Sequence, residues 1–149
     1  MKKLLSIAVL AIVISGCASA GGWFNDSNTN ARILTKGIVS EYLVHNKTSI
    51  QTVYDVTTDA LGYVKAGSVG VDQLEVFIIS RIRPSLATLT PEAQAAVMVF
   101  IAELKAQLVQ QLPANNLDPS KTQIEIVTFL TWINDVATTY KNSGMGNAQ

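Results

Sequence analysis

From residue 29 to residue 141 the apolar side chains recur every three or four positions, in five blocks that Pro, Gly and Asn keep apart. That period lays them along one stripe of a helix, and it predicts five helices. The first spans Thr29 to His45, with Leu34, Ile38 and Tyr42 on one stripe, Ala31, Val39 and Leu43 beside it, and Gly37 as its weak point. The second starts near Thr48, where Thr48-Ser49-Ile50-Gln51 has capping-box spacing, and Gly67 stands where a C-terminal cap belongs. The third covers about Val71 to Arg83, with Asp72 and Glu75 complementing the dipole of its first turns and Pro84 as its stop. Its middle, Val76-Phe77-Ile78-Ile79, is apolar nearly all round and could also read as a strand, but no second strand candidate exists to pair with it.

Two proline signals open the remaining helices. Thr90-Pro91-Glu92 supplies an N-cap, a proline at the first helical position and an acid, and the helix runs to Leu112 with Val97, Phe100, Ile101, Leu104 and Leu108 inward. Leu117-Asp118-Pro119 repeats the device for a fifth helix ending near Lys141, with Ile126, Phe129, Leu130, Ile133, Ala137 and Tyr140 on its stripe. Residues 142–149 read as a frayed tail. Short connections favour antiparallel neighbours, so the expected fold is all-α: a compact antiparallel bundle of about five helices over residues 31–141. Helices three and four, the most apolar, are expected at its centre.

The first thirty residues follow another logic. Lys2 and Lys3 precede an apolar run from Leu4 to Ile14, too short to cross a bilayer, which takes about 20 apolar residues. A basic head, a short apolar middle and small residues at the end describe an export signal. The run ends in Ile14-Ser15-Gly16-Cys17, and Cys17 is the only cysteine of the chain. This segment resembles the lipobox of bacterial lipoproteins. The resemblance covers residues 1–20 alone and implies cleavage before Cys17, with diacylglycerol on its thiol and a further acyl chain of the palmitate type on its amine. Two or more such chains hold a protein stably to a membrane. Ala18 follows the cysteine in place of an Asp, which by the same resemblance implies the outer membrane, periplasmic side. Ala18-Ser19-Ala20 offers the alternative of ordinary cleavage before Gly21, which would release a soluble periplasmic protein.

With residues 1–16 as signal, residues 17–30 read as a lipidated, flexible tether rich in Asn, Ser and Thr. Trp23 and Phe24 within it are candidates for the membrane interface, or else fold back onto the domain. Removing 16 of the 149 residues leaves 133, enough for one domain with a core. Loss of Lys2 and Lys3 leaves nine basic against eleven acidic side chains, a net charge of −2 that offers nucleic acid no basic patch. Charged residues make up 15% of the chain, against about 25% in ordinary soluble domains, and so lightly charged a surface gains from a partner or a second copy.

Signals for catalysis are sparse. His45 is the sole histidine, which excludes two-histidine zinc sites, and it reads as a solvated cation at a helix C-terminus. Asp55 and Asp59, four apart, read as a wet acidic face, and Arg32 and Lys36 as its basic counterpart. Arg81 lies within an apolar helix, where burial would require a carboxylate such as Glu75 or Glu103, or a partner. No glycine-rich phosphate loop or nucleophile elbow is present, so the expectation is no enzyme, no metal and no cofactor. The leading expectation is a membrane-anchored module that binds another envelope protein. The alternative is a carrier of an apolar molecule or lipid, with Phe77, Phe100, Phe129 and Trp132 around a cavity among helices three to five.

Overall fold

The computed structural model describes residues 24–67, 69–112 and 119–145, and these form an all-α bundle. Five helices follow in order: α1 (Thr29–His45), α2 (Ile50–Ala66), α3 (Val71–Leu86), α4 (Pro91–Gln111) and α5 (Pro119–Asn142), with a 3-10 turn at Lys47–Ser49 between α1 and α2. There is no strand among the described residues, and Val76-Phe77-Ile78-Ile79 is helical. Side-chain contacts fix the directions. Asp59 meets Arg81 and Tyr63 stacks on Phe77, so α2 and α3 are antiparallel. Gln123 donates to the Val64 carbonyl and Asn134 to that of Tyr54, so α5 also runs against α2.

The centre is not where the composition put it. Ala31, Val39 and Leu43 of α1, Ile50, Ala60 and Val64 of α2, and Ile126, Leu130, Ile133 and Ala137 of α5 are buried together. On α3 only Leu74 and Ile82 reach full burial, and among the described side chains of α4 Leu108 alone does. Helices three and four are therefore peripheral, and α1, α2 and α5 form the core. The physical reason is side-chain size. Much of the apolar character of α4 is Ala and Val spread around the helix, whereas α5 masses Ile126, Phe129, Leu130, Trp132 and Ile133 into one broad stripe. Each large side chain so buried contributes about 1.5–3 kcal/mol, and small ones far less.

The domain starts earlier than the tether reading allowed. Phe24 is buried, edge-on to Phe129 with centroids 4.8 Å apart and 6.0 Å from Trp132. Of the two readings of Phe24, fold-back onto the domain is the one its burial in the core supports. Asn28 then caps α1 by accepting from the Ala31 N–H at 3.1 Å. At the other end the chain does not fray at 142. Gly144, at φ 75°, terminates α5 in the left-handed region, and Met145 packs against the core.

Local signals fared unevenly. Thr90 caps α4 as expected, accepting from the Ala93 N–H at 3.3 Å, with Pro91 behind it. The box at Thr48 does not form: the 3-10 turn brings the chain into α2 already helical, and Ser49 makes no capping bond. Its hydroxyl instead lies 3.4 Å from the Tyr42 hydroxyl. Gly67 is extended (φ −170°), so it stops α2 without a left-handed cap. Pro84 does not stop α3. It forfeits only the bond to the Ser80 carbonyl, and the ladder resumes with the Ala87 N–H on the Arg83 carbonyl at 3.2 Å. The reciprocal bond of a capping box appears where none was expected, from the Gly70 N–H to Gln73 Oε1 at 3.0 Å.

Candidate functional site

The peripheral position of α4 leaves a space behind it. α4 makes its main backbone approach to α3, and between this pair and the α2–α5 face lies a cavity of about 550 Å³. Helical periodicity lines it. Leu74, Ile78 and Ile82 recur at four-residue steps on α3, and Val97, Ile101, Leu104 and Leu108 at steps of four, three and four on α4. Val53 and Val56 of α2 and Phe129, Leu130 and Ile133 of α5 complete the wall. The middle of the cavity is hydrocarbon.

Its ends are polar, and differ. Thr48 and Ser49 of the 3-10 turn and Thr52 of α2 line one end together with Ser85 of α3 and Thr88 just beyond it, because α2 and α3 are antiparallel. Towards the opposite end stand Glu75 and Lys105, the only charged side chains among the described residues that line the cavity. Lys105 donates to Glu75 Oε2 at 2.6 Å and lies 3.0 Å from Asp72 Oδ1. The hydrogen bond to Glu75, followed by that to Asp72, raises the Lys105 pKa above its ordinary value. At the hydroxyl end the Tyr42 ring stacks on Phe100 with centroids 3.9 Å apart, tying α4 to α1. Burial pushes the Tyr42 pKa up, against a smaller lowering by its bond to Ser49.

Of the four aromatic residues expected around such a cavity, Phe100 and Phe129 line it. Phe77 is instead stacked on Tyr63 at 4.4 Å, and Trp132 is buried in the core beside Phe24. Arg81 is about half exposed. It pairs with Asp59 at 3.3 Å, not with Glu75 or Glu103, and its guanidinium lies 5.3 Å from the Phe77 ring centre. The aliphatic stem of an arginine can cover apolar surface while its head stays in water, so an apolar helix did not require it to be buried. His45 is exposed beside Glu41 at 2.9 Å. Lys36 reaches Asp135 at 2.7 Å, and Asp55 accepts from Gln51 at 2.7 Å.

Lys105 and Tyr42 were missed as site residues. A signal for Lys105 existed: it is the one charge beside Ile101, Leu104 and Leu108 on the inward stripe of α4. Among the described residues no three His, Cys, Asp or Glu side chains gather so as to hold a metal ion, and no helix is long and apolar enough to cross a membrane. Ile14, Ser15, Gly16, Cys17 and Trp23 lie outside the described residues. No family model, curated protein or solved structure matches this chain.

Proposed function

We propose that the protein binds an apolar small molecule or single lipid in the cavity between α3–α4 and the α2–α5 face, without catalysis, while acyl chains on Cys17 hold it to the outer membrane. The observation that carries this reading is the cavity itself. Its volume, about 550 Å³, lies within the range of roughly 300–1,000 Å³ typical of small-molecule sites. An apolar cavity of this size, partly open to solvent, lacks dispersion contacts that a packed core would make, and a ligand supplies them. Each methylene buried there contributes about 0.8 kcal/mol. The anchor rests on the lipobox and would keep the site within reach of the lipids it samples.

The reading is tested by releasing whatever accompanies the protein from its own membranes. A stoichiometric apolar compound, lost on the cavity-filling substitution Leu104→Trp, is the expected result. Intact-mass analysis of the N-terminal peptide tests the anchor separately: an acylated Cys17 is expected, against a chain that begins at Gly21.

A second reading has its own support. The outward side of α4 carries Met98, Val99 and Val109, which are 40%, 60% and 52% exposed. An apolar stripe of this kind suits an interaction module that docks on another envelope protein or on a second copy.

A further inference from the structure

We infer that the ligand is an uncharged single-chain amphiphile, its hydroxyl-bearing head among Ser49, Thr52, Ser85 and Thr88 and its hydrocarbon tail running towards Leu104 and Leu108. This rests on the ligand-binding reading above and adds the chemistry of the ligand and its direction. Size comes first. At about 550 Å³ the space falls within the roughly 300–1,000 Å³ of small-molecule sites, which suits one hydrocarbon chain with a small head. Shape agrees. The lining runs from Val71 to Leu86 on α3 and from Val97 to Leu108 on α4, about 22 Å and about 16 Å at 1.5 Å per residue, so the space is elongated along the helices.

The distribution of polar groups sets the head and its direction. Among the described residues no charged side chain lines the hydroxyl end, so an ionised head placed there would lose its hydration with no opposite charge to replace it. Thr88 Oγ1 already donates to the Ser85 carbonyl at 2.8 Å and Ser49 accepts from Tyr42 at 3.4 Å, but a hydroxyl both donates and accepts, so the group still suits a head that does the same. The other end disfavours an anion too. Lys105 is already held by two carboxylates, Glu75 and Asp72, which leaves that cluster with a net charge of −1. A carboxylate would face Glu75, and a cation would compete with Lys105 for it. The hydrocarbon between the ends accepts a tail of either kind.

Titration of the folded protein with four ligands of one chain length, the three amphiphiles kept below their micelle concentrations and the alkane below its solubility limit, separates the cases. Monolauroylglycerol, laurate at pH 8, dodecyltrimethylammonium and dodecane differ only in the head. The expected order places monolauroylglycerol at least tenfold tighter than either ion. The double substitution Thr52→Val and Ser85→Ala should weaken monolauroylglycerol about fivefold or more while leaving dodecane unchanged, with the thermal midpoint as a check on folding. Laurate or the ammonium compound binding as tightly as the glyceride would overturn the neutral head and leave the cavity reading standing. Failure of all four to bind would overturn the ligand and the cavity reading together.

Discussion

Two halves of one bundle are built on different terms. In the α1–α2–α5 half, large side chains close on one another: Leu43, Ile50, Ile126, Leu130 and Ile133 are all within 2% of full burial. In the α3–α4 half, side chains of similar hydropathy face a cavity or face water. Val76 is 68% exposed, and α4 is held by buried Leu108, by half-buried Phe100 and Leu104, and by the Tyr42 ring stack and the Lys105 ion-pair cluster. Hydropathy is thus a poor guide to which helix is central. Stability in the first half resides in dispersion and burial. The second half gives up part of that stabilisation, and the space it leaves is what a ligand can use.

That contrast can be broken, most forcefully in the core. Ile126→Ala should destabilise the protein by about 2–5 kcal/mol in urea denaturation, because the tightly packed site around it cannot collapse. Val97→Ala, on the cavity wall, should cost under about 1 kcal/mol, since space already adjoins it. Equal losses would mean that the two halves are packed alike. Added bulk should show the opposite signs. Overpacking at Ala60, fully buried in α2, should cost about 1–3 kcal/mol as Ala60→Leu, whereas Leu104→Trp should leave the thermal midpoint unchanged or raised.

Alkaline pH sharpens the comparison further. Lys105 and Tyr42 both have pKa values raised in the folded protein, above 10.5 and 10.0 respectively. For each group the stability it contributes is complete below the unfolded pKa and is lost as pH rises through the folded one. Both groups anchor α4. Between neutrality and pH 9 stability should therefore be insensitive to these two groups, and above about pH 10 it should fall. Amide exchange, corrected for pH, should show α4 loosening before α5. Lys105→Met should remove much of that alkaline sensitivity. The smallest effect belongs to the surface. Arg81→Ala should change stability by no more than about 1 kcal/mol, because Arg81 and Asp59 are both about half exposed. A larger loss would give the α2–α3 edge a structural weight that its exposure does not suggest.

Much of the fold was legible in the sequence because it is written in local terms. The bounds of α1 and the Thr90-Pro91 start of α4 follow from caps and periodicity within a few residues. The capping box at Thr48 failed for an equally local reason, since the preceding 3-10 turn had already set the backbone. What the sequence did not reveal depends on distant pairings. For Phe24 the sequence left membrane interface and fold-back both open, and the ring of Phe129, more than a hundred residues later, decides for fold-back. Pro84 reads as a stop, yet one lost backbone bond near a helix end is tolerable. A cavity is the least legible feature of all, for it is the place where the stripes of α3 and α4 fail to meet α5. Half of its expected aromatic lining, Phe100 and Phe129, was still recoverable from inward stripes alone. Phe77 and Trp132 lay on stripes just as apolar and turned elsewhere.

Hydrogen exchange read by mass spectrometry, with and without monolauroylglycerol, tests the central claim most directly. Amides of α3 and α4 should exchange faster than those of α1, α2 and α5 in the free protein, and the ligand should slow α4 most. Uniform exchange across all five helices, or a ligand that leaves α4 unchanged, would contradict the account.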